Sequence, residues 1–312
     1  MNDNLLVSVL MSCYNEELDW VKKSIESIIN QTYTNIQFII ICDNPNNEAL
    51  ICLLNEYKDK DNRIEVIFNS ENKGLISSLN IGLQKCNGEY IARMDADDIS
   101  HLNRIEVEIG YFNKKDDLDF VMSGINYINE KGIKIKSTTI LKHKNISKLL
   151  SYGNVSIHPT WMFKKDILNK VKKYNNVKYV EDYDFLCRTI LLGYKVEFIP
   201  EILLDYRVRS TGITKSRRAE QEVVYQIVID EFNKAFNKKK EYNVESIVNN
   251  LSKKEISSFE KHHEKFQNGK RLFKEKKYFT SFKLLGQVLF KSKKKRKQII
   301  NYSKLKVMGK FY

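Results

Sequence analysis

Four short runs of β-branched and aliphatic residues dominate the first hundred positions, and three helix-length segments separate them. Residues 6–11 (LVSVLM), 35–42 (NIQFIIIC), 63–68 (RIEVIF) and 90–94 (YIARM) are predicted strands. Between them, residues 19–30 place Trp20, Ile25, Ile28 and Ile29 at helical spacing, and residues 49–57 and 75–86 also predict helices. The strand runs are almost continuously apolar rather than alternating. That is the pattern of a parallel sheet covered on both faces, hence an α/β fold. In such sheets ligands bind beyond the carboxyl ends of the strands. Four polar segments follow directly: 12–17, 43–47, 69–74 and 95–98. All four are expected at one rim.

Downstream the pattern predicts a helix over 102–112, a strand over 120–123, a helix over 186–192 ended by Gly193, strands over 196–199 and 203–208, and helices from 219 onward. With 312 residues, 42% of them hydrophobic, the chain can bury a large core with an appendage. Its charge is uneven. Residues 213–312 carry 26 Lys/Arg and 10 Asp/Glu, a net charge of +16, whereas residues 1–212 have a net charge of −2. The reading is a near-neutral body, with a nucleotide-binding half over 1–100 and an acceptor half over 101–212, followed by a basic helical region over 213–312. Five scattered cysteines without a CxxC pair argue against a disulfide scaffold or a zinc module and fit a reducing compartment. No basic leader precedes the first apolar run, and the longest purely apolar runs, such as residues 38–42, fall far short of the roughly 18 residues of a spanning helix. The expected location is the cytoplasm, with peripheral attachment to the inner face of the cell membrane as an option.

Several constellations bear chemistry. Asp95-Ala96-Asp97-Asp98 follows a strand, where carboxylates at i and i+2 suit a hard divalent cation together with a ribose hydroxyl. The competing reading is a solvated turn in which Asp98 or Ser100 caps the next helix. Asp43 ends a buried strand and suits a base or ribose, although Asn44-Pro45 also makes an ordinary turn. Glu181-Asp182 supplies a candidate general base, with acids favoured at a helix N-terminus as the alternative. Arg207 and Arg209 offer guanidinium groups to a diphosphate, or else make surface ion pairs. His158 is either an acceptor-pocket residue or structural.

Together VSVLMSCYNEE, CDNPNNEA, NKGLISSLNIGL, NGEYIARMDADDI, IHPTWMF, VEDYDFLCR and LLDYRVRS resemble, in order, the motifs of family 2 glycosyltransferases over roughly residues 5–212. The likeness is strongest to bacterial enzymes of O-antigen, capsule and exopolysaccharide synthesis. The resemblance implies a GT-A fold, Rossmann-like, with a mostly parallel central sheet, flanking helices and here a C-terminal helical appendage. It implies a nucleotide-sugar donor, UDP-linked first, and a lipid-linked oligosaccharide acceptor. It further places Ser12, Tyr14, Glu16, Asp43, Lys73 and Asp95 at the nucleotide, Asp97 with Asp95 at a manganese or magnesium ion, Asp182 as general base and Glu181 beside the acceptor. His158, Arg207 and Arg209 fall to the acceptor or diphosphate. Two departures stand out: Cys42 replaces the first acid of the base-binding turn, and Arg209 replaces a tail histidine that can complete a metal shell in related enzymes.

The implied chemistry is a single in-line displacement with inversion, giving a β-glycoside from an α-linked hexosyl donor. In the basic tail, Phe279, Phe282, Leu285, Val288 and Leu289 are expected on one helical face, followed by Lys293-Lys294-Lys295-Arg296-Lys297. That combination suits an anionic membrane surface; a helical bundle with a solvated lysine face is the alternative. Among rivals, a nucleotidyltransferase would bring a Gly-rich basic phosphate loop early in the chain. A nucleic-acid-binding protein would spread its positive charge over a stacking surface. Neither pattern is present, and no nucleic-acid partner is expected.

Overall fold

The structure is a computed structural model describing residues 5–138, 146–209 and 215–309. In chain order the elements are β1 (Val7–Cys13), α1 (Leu18–Ile29), β2 (Ile36–Cys42), α2 (Glu48–Lys60), β3 (Ile64–Phe68), α3 (Leu75–Leu83), β4 (Tyr90–Asp95), β5 (Ile99–Ser100), α4 (Arg104–Lys114), β6 (Phe120–Ile128) and β7 (Lys134–Thr138). There follow α5 (Ile146–Leu150), β8 (Trp161–Lys164), α6 (Leu168–Val171), α7 (Glu181–Leu191), β9 (Val196–Arg207), α8 (Lys215–Lys238), α9 (Val244–Asn249), α10 (Lys253–Lys274), α11 (Tyr278–Lys291) and α12 (Lys293–Gly309). They form two compact units. The first comprises Met1–Ile146, Ser156–Asn175 and Phe185–Ser210; the second comprises Ser147–Val155, Asn176–Asp184 and Thr211–Tyr312. The second unit therefore takes in two excursions from the middle of the chain as well as the basic tail.

The first unit holds a nine-stranded sheet of order β3-β2-β1-β4-β8-β6-β9-β5, with β7 on β6. Strands β1 to β4 are mutually parallel, as their almost continuously apolar sequences predict. Val7, Val9 and Met11 face a core shared with Val21, Ile25 and Ile28 of α1, Leu50 and Leu54 of α2, and Ile105 and Ile109 of α4. Leu10, one pleat position away, faces α3, where a Cβ on Gly82 would lie 2.1 Å from Leu10 Cδ1. The parallel order then breaks. Strand β8 runs antiparallel to both β4 and β6, and β9 returns parallel to β6. The two strands expected over 196–199 and 203–208 are one, β9, whose register against β6 shifts around Gly124. A Cβ on Gly124 would lie 2.9 Å from Thr138 O and 3.1 Å from Glu201 O, so β7 and β9 both approach its backbone too closely for a side chain.

Helix α4 looks amphipathic and surface-laid in sequence, yet Arg104 and Glu108 are fully buried and paired at 3.0 Å. Arg104 also donates to the carbonyls of Arg93 (3.0 Å) and Trp161 (3.3 Å), tying the helix to β4 and β8. Burial pushes the Glu108 carboxyl up to about 7 against the pull of Arg104.

In the second unit, Ser252 and Glu255 form a capping box at the start of α10. Helix α11 packs on α10 through Leu285, which meets the flank of Gly269, and through Ser281, whose hydroxyl donates to Gly269 O at 2.8 Å. This corrects the expected aromatic face. Ser281 and Val288 are buried, while Phe279, Phe282 and Phe290 lie exposed on another side of the helix. The lysine cluster is corrected as well. Lys295 is buried against Glu222 (3.0 Å), Lys297 pairs with Asp230 (2.5 Å) and Lys294 pairs with Glu255 (3.7 Å). Much of that charge is therefore neutralised within the bundle. No helix among the described residues is long and apolar enough to cross a membrane.

The buried pair yields a stability prediction. Arg104→Met strands the Glu108 carboxylate and destabilises the protein by about 3–5 kcal/mol in urea unfolding, whereas Arg104→Met with Glu108→Leu recovers part of that loss. A double variant no more stable than the single one would contradict the pairing.

Candidate active site

The parallel register brings the carboxyl ends of β1 to β4 to one rim. Ser12 is level with Asp95, and Cys13 with Cys42, so the polar segments after each strand become neighbours. Asn44 Nδ2 donates to Asn15 Oδ1 (2.8 Å) and Tyr14 O (3.3 Å), joining the first two segments. Asp43 joins the second to the third. Its Oδ1 accepts from Asn69 Nδ2 (2.7 Å) and Lys73 N (2.8 Å), and its Oδ2 from Gly74 N (2.8 Å). Gly74 has φ +80, a backbone that glycine adopts most readily, and the turn lets both amides converge on the carboxylate. The turn-forming role belongs to Asn44, which accepts from Asn46 N, and to Asn47, which caps α2. Lys73 therefore enters the rim through its backbone.

Around the fourth segment, Asp95, Asp97 and Asp98 each place a carboxylate oxygen within 4.8 Å of the others. Helix α1 fixes this turn from below. Ser24 Oγ donates to Asp95 O (2.9 Å), Ser27 Oγ accepts from Ser100 N (3.0 Å), and Gln31 Nε2 donates to His101 O (2.7 Å). Arg93, almost fully buried, donates to Asp95 Oδ1 at 2.5 Å. Asp98 does not cap α4, which begins after Asn103. Its Oδ1 accepts from Arg207 N (2.8 Å), and its Oδ2 is buried with no hydrogen-bond partner among the described residues. Burial, reinforced by the neighbouring acids, raises the Asp97 carboxyl above the usual carboxylate range and the Asp98 carboxyl well above it.

Two arginines answer this charge. Arg209 Nε donates to Asp97 Oδ2, and its Nη2 lies 3.5 Å from Glu16 Oε1. Glu16 in turn accepts from Tyr14 N at 2.7 Å. Arg207 departs from the expectation of a diphosphate ligand. It is buried, and its guanidinium donates to three carbonyls: Asp97 O (2.7 Å), Asn129 O (3.0 Å) and Glu130 O (3.1 Å). Trp20 underlies both arginines, with guanidinium carbons 5.1 and 5.8 Å from its ring centroid. Its indole N–H donates to Glu130 O at 3.2 Å. Sequence reasoning took Trp20 as an apolar helix residue; its place three residues after Glu17, at the rim end of α1, was the available signal.

His158 also departs from the expected acceptor pocket. Its ring lies 4.5 Å from Trp161 and 5.4 Å from Tyr174, and Nε2 is 2.8 Å from Tyr174 Oη. Burial, helped by Arg93, holds the imidazole well below its ordinary pKa, so it is neutral and structural.

Glu181 and Asp182 open α7 and belong to the second unit. Asp182 Oδ2 accepts from Asn154 Nδ2 at 2.9 Å, while the Asn154 backbone N–H donates to Tyr225 Oη at 2.6 Å. Asp184 is fully buried and accepts from Tyr242 Oη at 3.0 Å, a structural role. Three acids in the first turn suit the positive end of the helix dipole.

The acid cluster fits a hard divalent cation. It presents oxygen donors alone, closely spaced, and one buried carboxylate oxygen lacks a protein partner. The cluster sits at the carboxyl ends of parallel strands, where open α/β sheets bind their ligands. Residues 8–172 match the profile of glycosyl transferase family 2, and the chain belongs to that family. It is 39% identical over 223 residues to an uncharacterized glycosyltransferase of Methanocaldococcus jannaschii, covering 71% of this chain and 77% of that one. With the O-antigen biosynthesis glycosyltransferase WbnJ of Escherichia coli it shares 36% identity over 219 residues, or 70% and 85% of the two chains. The crystal structure of S. aureus TarS in complex with UDP-GlcNAc superposes with a TM-score of 0.61 over 96% of this chain and 90% of that one, at 14% identity. This last likeness establishes the shared GT-A fold.

Asp43 is the residue on which the rim's second and third segments depend. Asp43→Ala frees the amides of Lys73 and Gly74 and costs about 2–3 kcal/mol of stability, since bonds to a charged acceptor contribute roughly 1.5–3 kcal/mol. Faster hydrogen exchange at those two amides checks this; unchanged exchange would refute the clamp.

Proposed function

We propose that this family 2 glycosyltransferase moves a hexosyl group, with inversion, from a nucleotide sugar to a hydroxyl of a growing surface oligosaccharide. UDP-sugars are the first donors to test, and a lipid-linked oligosaccharide at the inner face of the cell membrane is the proposed acceptor. The observation that carries the reading is the cluster of Asp95, Asp97 and Asp98 at the rim of the parallel strands. O-antigen and amylovoran enzymes among the relatives support the acceptor class.

In this reading Asp97, with Asp95, holds a manganese or magnesium ion. When bound, that ion supplies electrophilic neutralisation of the departing nucleoside diphosphate. Asp43 fixes the loop against which the nucleotide is held, with Ser12 and Tyr14 beside it. Arg209, paired with Asp97 and Glu16, is the cation assigned to the diphosphate, and Arg207 with Trp20 holds the backbone carbonyls beside it. Asp182 is assigned as general base: its carboxylate takes the acceptor hydroxyl proton as that oxygen attacks the anomeric carbon. Its bond from Asn154 fixes the carboxylate's orientation. Glu181 sits beside it as an acceptor contact.

Two measurements test the assignment. A screen of nucleotide sugars with manganese should raise the melting temperature of the wild type and of Asp182→Asn, but not of Asp97→Asn. In transfer assays Asp182→Asn should lose about 10²–10⁴-fold in turnover, the usual contribution of a general base. Near-normal turnover in that variant would reject Asp182, and metal-enhanced stabilisation of Asp97→Asn would reject the metal assignment.

A further inference from the structure

Helix α11 has two faces of different purpose. Ser281, Leu285 and Val288 form the side that packs within the bundle. At 100° per residue, Phe279, Phe282 and Phe290 fall within about 80° of one another on the opposite side. They are 86%, 62% and 88% exposed. Phe273, at the end of α10, extends the patch, its ring 6.0 Å from that of Phe282 in an edge-on contact. Apart from the Phe273–Phe282 edge contact between α10 and α11, these rings face outward, and exposed aromatic residues grouped on one helix side mark a surface that meets something apolar.

Charge identifies that something. From Lys276 to the last residue there are 12 Lys/Arg and no Asp or Glu. Lys283 lies on the phenylalanine side of α11, and Lys276, Lys277 and Lys291 bracket its ends, all exposed. The lysines committed to the bundle, Lys294, Lys295 and Lys297, are a different set. Lys277 pairs with Glu275 at 3.2 Å, whereas Lys276, Lys283 and Lys291 are exposed beside the rings; phenylalanines flanked by such basic residues fit the boundary between headgroups and acyl chains, with ammonium groups at the lipid phosphates. A second copy of this chain fits less well, because pairing two such faces would press like charges together.

We infer that α11 is a membrane-docking element that seats Phe279, Phe282 and Phe290 in an anionic lipid surface. The proposal rests on the reading of a lipid-linked acceptor only for its purpose; the docking itself is independent of the reaction.

Flotation of the full chain with vesicles of phosphatidylcholine, alone or mixed with phosphatidylglycerol, tests it. The wild type should float with the anionic vesicles, more weakly at high salt, and remain behind with the neutral ones. Phe279→Ser, Phe282→Ser and Phe290→Ser combined should cut partitioning about tenfold or more, given the apolar area withdrawn from lipid. Their exposure leaves the fold intact, which circular dichroism verifies. Lys283→Gln with Lys291→Gln should reduce the salt-sensitive part. Failure of the wild type to float, or equal flotation of the triple variant, overturns the proposal. So does light scattering that shows a dimer dissolved by the triple substitution without vesicle binding. Metal-dependent donor hydrolysis in solution should be the same in both proteins; its absence from both would count against the proposed reaction and not against docking.

Discussion

Three carboxylates held within 4.8 Å of one another are the constraint around which the catalytic unit is organised. Left alone they would repel, and the turn that carries them would open. The fold opposes this in layers. Arg93 meets Asp95 from inside the sheet, Arg209 meets Asp97 from the rim, and the Arg207 backbone meets Asp98. Beneath them Trp20 provides a flat, polarisable base for two guanidinium groups. Burial and the neighbouring acids nonetheless raise the Asp97 and Asp98 carboxyls, so ionising all three acids together is costly in the absence of a further positive charge. A bound cation would offset that cost, which is the physical basis of the proposed metal site.

The same economy of means shapes the rest of the rim. Parallel strands deliver their carboxyl ends together, and each polar segment is then bound to the next by a side chain that the preceding one supplies. Asn44 reaches Asn15, and Asp43 gathers Asn69, Lys73 and Gly74. The rim is thus preorganised by hydrogen bonds within the first unit. The acidic first turn of α7 is organised separately, through Asn154 and Tyr225 in the second.

How far the sequence revealed this depended on what each segment buries. Strands β1, β2 and β4 were legible because both faces are covered, leaving mostly apolar runs, and β3 because its β-branched residues alternate with exposed positions. Strand β7 (KIKST) was not, because its residues are almost all exposed and carry no hydrophobic signal. Strand β9 read as two because Pro200-Glu201 interrupts its apolar pattern while the backbone continues through a register shift. The DADD spacing after a strand pointed to a carboxylate cluster, and Asp95, Asp97 and Asp98 do converge. Arg207 and Arg209 look equivalent in sequence, yet Arg207, the last residue of β9, is locked onto the carbonyls of Asp97, Asn129 and Glu130, while Arg209, two residues beyond the strand, faces the acids. Arg104 and Glu108 resemble a surface pair at i and i+4, and only the tertiary fold buries them. The lysine run of residues 293–297 likewise divides between ion pairs that its composition does not announce.

The central claim is that Asp97 and its neighbours exist to bind a cation shared with a nucleotide diphosphate. Anomalous diffraction at the manganese edge from a crystal grown with UDP and manganese tests it most directly. The account predicts a single strong peak at roughly 2.1–2.2 Å from an Asp97 oxygen, within the range for small hard cations, with the Arg209 side chain moved off Oδ2. A peak elsewhere, or nucleotide bound at the rim with Arg209 still seated on Asp97 and no metal signal, would contradict it.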